Sequence, residues 1–122
     1  MLKASQFSNS LPTRPLREEE RELIRSLLSG VSAKAALEDT LPASHVTDMQ
    51  DGGMGSIRFV QPESRSFGKA LVEAQYVDSD GVLVNIAVNT DNNGDLFEVD
   101  FWKVDFSPLR RYPKPSDLAV KQ

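Results

Sequence analysis

The chain has 122 residues, the size of one domain with its own core, and its 39% hydrophobic and 26% charged content fits a soluble globular protein. It contains no cysteine, which removes disulfides, thiolate catalysis and cysteine-ligated zinc or iron–sulfur centres. A formal net charge of -4 argues against generic binding to nucleic acid or to anionic membranes.

Residues 1–13 are polar and read as a flexible arm without the apolar segment of a signal peptide. No run reaches the length of a membrane span, so the cytoplasm is the expected location. A single α+β domain is expected over 14–109, followed by a proline-rich basic tail over 110–122. Within RPLREEERELIRSLLSG, residues Leu23, Ile24, Leu27 and Leu28 form one apolar stripe at helical spacing. Glu18, Glu19 and Glu20 favour the positive end of that helix, and Gly30 is placed to stop it. Arg17 is a poor N-cap, which leaves the helix start open by a residue or two. A shorter helix is expected in SAKAALED with Ser32 as its cap, ended by Pro42.

SHVTDM and SIRFV read as short strands around the turn DGGMG, and QPESRSFG as a connection without period. From Lys69 onward the alternation is regular. Val72, Ala74 and Tyr76 share a face, as do Val82, Val84, Ile86 and Val88, and Phe97, Val99 and Phe101. A three-residue loop Ser79–Asp80–Gly81 sets Tyr76 opposite Val84, Ala74 opposite Ile86 and Val72 opposite Val88, with every apolar position on one side. For the next hairpin, a two-residue Asn93–Gly94 turn pairs Val88 with Val99 and Ile86 with Phe101, while a four-residue Asp91–Gly94 loop keeps the same parity and leaves that register open. The expected fold is therefore an N-terminal helix, with a short second helix, packed on an antiparallel meander of about five strands.

The opposite face then carries Leu71, Glu73, Gln75, Leu83, Asn85, Ala87, Asn89, Leu96, Glu98, Asp100, Trp102 and Val104. An ordinary antiparallel sheet wets this side. The indole of Trp102 beside Asn85, Glu98 and Asp100 also has the make-up of a partner-binding anchor with a polar rim. Between Leu71 and Phe106 eight acids stand against Lys103 alone, while the tail carries Arg110, Arg111, Lys114 and Lys121 against Asp117. Such a chain can attract its own copy or meet two different partners.

No catalytic constellation emerges. His45 is the only histidine; Ser44 and Asp48 are near it in sequence, but no nucleophile elbow is present. Glu98 and Asp100 point the same way from one strand, as an acid/base pair would, and equally as two solvated acids would. DNNGD has alternate oxygen donors but not the glycine and glutamate spacing of a calcium loop, and it is what a hairpin turn requires. DGGMG lacks the Lys-Ser/Thr ending of a phosphate loop. Gly52, Gly53 and Met54 are kept as a weaker contact site, with Met54 expected to be open. No cofactor or metal is implied. The expected function is protein interaction, with another protein or a second copy. The alternative is a small-molecule binder or weak hydrolase with a cleft near DGGMG, using His45, Asp48 or the sheet carboxylates.

RPLREEERELIRSLL, MQDGGMGSIRFV and NGDLFEVDFWKVDFSPL together resemble a family of short bacterial domains of unknown function, over residues 14 to 109. The third motif is the most specific. In the first motif Arg17 departs from the family's pattern, where a threonine-like cap is expected. The resemblance implies no activity and no catalytic residue. By analogy of size and acidity alone, an immunity- or accessory-like role in bacterial toxin systems is in keeping with it.

Overall fold

A computed structural model describes residues 12–32, 34–60 and 65–121. Most of the expected N-terminal arm, up to residue 11, lies outside them. In chain order the elements are β1 (Thr13–Pro15), α1 (Glu18–Leu28), α2 (Lys34–Glu38), a 3-10 turn (Leu41–Ala43), β2 (His45–Asp48), β3 (Ile57–Phe59), β4 (Phe67–Val77), β5 (Leu83–Asp91), β6 (Leu96–Lys103), a 3-10 turn (Pro115–Asp117) and β7 (Ala119–Val120). All strands join one antiparallel sheet in the order β1-β2-β3-β6-β5-β4-β7. The α+β expectation holds, with seven strands in place of about five. Only β4, β5 and β6 form a simple meander, because β3 pairs with β6 and the short β1 and β7 add an edge each. Among the described residues no helix is long and apolar enough to cross a membrane.

The stripe of α1 buries Leu23, Ile24, Leu27 and Leu28 against Val46, Ile57, Ala74, Val84, Ile86, Val88, Val99 and Phe101 from the sheet's inner face. Each such side chain contributes about 2 kcal/mol on leaving water. Arg17 occupies the N-cap position of α1, and the capping falls to Glu20, whose Oε1 accepts the Arg17 N–H at 2.8 Å. Arg14 holds the same carboxylate with two bonds of 2.8 Å and grips Asp48 at 2.8 and 3.1 Å. One guanidinium thus ties β1, the start of α1 and β2 together. Gly30 follows the C-cap Ser29, as expected of a stop. The helix α2 begins at Lys34, two residues after Ser32, which was expected as its cap.

The β4–β5 register is the expected one, with Tyr76 opposite Val84, Ala74 opposite Ile86 and Val72 opposite Val88. Asp78 donates to Val82 O and accepts from Gly81 N, both at 2.9 Å, closing the three-residue loop, and Gly81 has φ +83. The β5–β6 turn is built the same way, with Asp91 N–H to Asp95 O at 2.8 Å and Gly94 at φ +88. It is therefore a three-residue loop, neither of the two expected. An odd loop shifts the parity by one, and a bulge shifts it back. Thr90 pairs with Leu96 but Asn89 with Glu98, leaving Phe97 as the extra residue. The expected pairs Val88–Val99 and Ile86–Phe101 survive. Leu96, expected on the outer face, is buried in the core. Phe97 leaves that core and lies between the guanidinium groups of Arg58 and Arg65, 4.9 and 5.0 Å from its ring centre. Arg65 also bonds Asp91, Leu96 O and Phe59 O, which joins the turn to β6 and β3.

Beyond Pro108 the chain crosses the inner side of the sheet to reach the far edge of β4. Tyr112 packs 5.5 Å from Phe101, Tyr76 donates to Arg111 O at 3.0 Å, and Pro113 is buried. This crossing is organised by Lys103, which fills the inner-face position after Phe101 and is fully buried. Its ammonium donates to Asp78 Oδ2 at 2.9 Å, Asp80 Oδ2 at 2.7 Å and Pro108 O at 3.0 Å. Asp78 in turn accepts the N–H groups of Ser79, Arg110 and Arg111. Burial alone would raise the Asp78 carboxyl. The Arg110 amide, the Lys103 ammonium and the Ser79 amide outweigh it and hold the pKa down at about 2, against an ordinary 3.8.

A depressed folded pKa means that the contribution of Asp78 is complete above pH 3.8 and disappears as the pH falls through about 2. Urea unfolding followed from pH 7 to pH 2 should lose on the order of 2 kcal/mol from this group over that window. Asp78→Asn should flatten the acid limb. Asp78→Ala, which strands a buried ammonium and three amides, should cost roughly 3–5 kcal/mol at pH 7. An Asp78→Ala unfolding midpoint equal to the parent's would refute the assignment.

Candidate functional site

The face of the sheet turned away from α1 can be read as rows across β6, β5 and β4. Glu98 pairs with Asn89; Asp100 pairs with Ala87, which pairs with Glu73; Trp102 pairs with Asn85, which pairs with Gln75. The last row runs from Val104, whose N–H donates to Leu83 O, to Val77 opposite Leu83. Period-two alternation and the two hairpin registers put these side chains on one surface.

Four large apolar side chains are open at that end: Trp102 (49% exposed), Val104 (41%), Phe106 (68%) and Val77 (55%). The rings of Trp102 and Phe106 stand 6.4 Å apart at 44°. Asn85, Gln75 and Asp100 border them on the sheet. An open apolar group with a polar rim is characteristic of contact surfaces.

Phe106 has a backbone reason to be noticed. Its N–H donates to Lys103 O at 2.8 Å, and its φ is +64, the sole positive value at a non-glycine among the described residues. The same bond pattern closes the turns at Asp78 and Asp91, where the left-handed position is given to Gly81 and Gly94. In the third turn a phenylalanine takes the place of glycine. The left-handed conformation costs an L-residue about 1–2 kcal/mol, and here it serves to stand an aromatic ring in solvent beside Trp102. Sequence patterning passed over Phe106, which lies beyond the end of the alternation, and Val77, which continues that of Glu73 and Gln75 at the end of β4.

The expected carboxylate pair separates into two roles. Glu98 is taken up by Arg58, at 2.9 and 3.3 Å, and by Asn89 Nδ2 at 3.2 Å. Asp100 receives the Ser56 hydroxyl at 3.2 Å. Partial desolvation raises the Asp100 carboxyl, the Ser56 bond opposes this, and Glu98 and Asp51 push it further up. With Glu98 neutralised in an ion pair, the two do not form an acid/base couple.

Other candidates are dispersed. The Ser44 hydroxyl donates to Thr40 O and the Asp48 carboxylate is held by Arg14, so neither is directed at the exposed His45. Asp91 accepts the amides of Asn93 and Asp95 and pairs with Arg65, making it the organiser of its turn. Among the described residues no three His, Asp or Glu side chains gather as they would around a metal ion. In the DGGMG loop, Gly52 and Gly53 have φ of +77 and +83 and are exposed. Pro108 lies 3.2 Å from where a Cβ on Gly53 would stand, and Gly53 O accepts the Leu109 N–H. Met54, expected to be open, is partly buried, packs on the core and receives the Lys103 N–H on its sulfur at 3.3 Å. The loop is a seat for the Pro108–Leu109 segment.

A family described as a domain of unknown function, DUF6984, has a model that matches residues 13–113, a span from β1 through both helices and β6 to the turn of Phe106 and the crossing segment. Neither the curated proteins nor the solved structures contain a match. On the length of the family match, the chain belongs to the DUF6984 family of domains of unknown function.

Proposed function

We propose that this chain is a non-enzymatic, cytoplasmic interaction domain that docks another protein on the outer sheet face around Asn85, Glu98, Asp100 and Trp102. The observation that carries this reading is the Trp102–Phe106 pair: two open aromatic rings, one held at φ +64, with Asp100 and Asn85 beside the indole. Tryptophan in such a setting supplies a large rigid anchor at small entropic cost. A net charge of -4 favours a partner with a basic or neutral surface over nucleic acid.

The test is affinity capture with the full chain, comparing the parent with Trp102→Ala, Asp100→Lys and His45→Ala. A specific partner should be retained by His45→Ala and lost on Trp102→Ala, by about 2 kcal/mol or roughly 30-fold in Kd. Sedimentation of the same variants separates self-association from a second protein. Partners captured equally by all four proteins would overturn the reading.

Phe106→Gly separates presentation from folding. Removing the left-handed penalty gains about 1–2 kcal/mol and added chain entropy costs about 0.5–1 kcal/mol. The variant should unfold at the parent's urea midpoint or above it, yet bind the partner more weakly. A clear loss of stability would show that the ring serves the fold.

A further inference from the structure

We propose that the hollow beside Trp102 is a seat for one arginine side chain of the partner, a seat that the chain's own Lys121 borders in the free protein. This deepens the docking reading above and rests on it. The hollow is about 260 Å3 and is lined by Glu73, Asn85, Ala87, Asp100, Trp102 and Lys121. That is below the roughly 300–1,000 Å3 of small-molecule sites and suits a single long side chain.

Its chemistry is directional. Ala87 forms a low floor between Glu73 and Asp100, each one strand away, so the backbones of the two acids stand about 10 Å apart on either side of it. The indole of Trp102 stands two residues along β6 from Asp100, with Asn85 across from it. An acid on either side of a small floor, with an indole in the lining, complements a flat cation. Guanidinium stacks on indole while bonding carboxylates in its plane, which ammonium does less well. Asp100 has a hydroxyl as its donor and no cation among the described residues. Glu98, next along the strand, already holds the guanidinium of Arg58.

The second observation is a cation already at the rim. Lys121 follows β7 and places its ammonium 3.8 Å from Glu73, with both side chains about half exposed. Its N–H donates to Glu73 O, which fixes the backbone there. The contact is long and open to solvent, of the kind that contributes little to stability. It marks the charge the hollow attracts and would compete with an incoming arginine.

The experiment is an NMR titration of the full 15N-labelled chain with N-acetyl-arginine amide at fixed ionic strength. N-acetyl-citrulline amide is the neutral isostere. The arginine probe should give saturable shifts at the Trp102 indole N–H and the Ala87 amide, and citrulline should not. Asp100→Asn and Glu73→Gln should each weaken binding about fivefold, and Lys121→Ala should strengthen it about twofold. Equal shifts from citrulline, absence of saturation, or weaker binding in Lys121→Ala would overturn the proposal. A partner whose capture depends on Trp102 but is indifferent to Asp100→Asn and to excess arginine probe would leave the docking reading standing and remove this one.

Discussion

Much of this molecule turns on one buried ammonium. Lys103 stands at the end of β6, where the inner face would otherwise receive another apolar side chain, and binds two aspartates and a carbonyl at once. Burying charge is expensive, and the cost is offset only when every donor and acceptor is satisfied. That condition is met: Asp78 is saturated by backbone amides, and no buried side-chain nitrogen or oxygen among the described residues lacks a partner. The cluster joins the β4–β5 turn to the segment after β6 and seats Pro108 against the glycine loop. It also determines what comes next. With Lys103 directed inward, Trp102 must point out, and the turn from Lys103 to Phe106 starts from a fixed atom.

The regular part of this architecture was legible because its physics is local. A period of two and a glycine at the third loop position sufficed to register Tyr76 on Val84. The same reasoning misjudged the next hairpin, since an odd loop compensated by a bulge produces the same distant pairs as an even loop without one. Only the residues between, Leu96 and Phe97, betray the difference. The edge strands β1 and β7 span three and two residues, too short for any pattern to register.

The charged network was illegible for a different reason. Lys103 and Arg65 look like solvated residues of a strand end and a loop, and their burial depends on carboxylates far along the chain. Of the candidate surface, Trp102, Asp100 and Asn85 were visible from alternation. Phe106 was not, because nothing in the letters KVDF announces a left-handed phenylalanine. It becomes conspicuous only beside the two turns of identical bonding in which glycine does the same task.

The margins of the sheet bear on what kind of contact this protein can make. One side ends in β1, which includes Pro15, a residue with no amide hydrogen to offer a neighbour. The other ends in β7, which covers β4 near Ala74 and Gln75, while the uncovered half of β4 is broken by two irregularities between Phe67 and Val72. Short strands, a proline and bulges are how natural sheets resist growing sideways into ladders with other chains. Recruitment by strand addition is thereby discouraged at both flanks, which leaves to the proposed docking the broad flat of the sheet, where side chains rather than backbone would decide who is admitted.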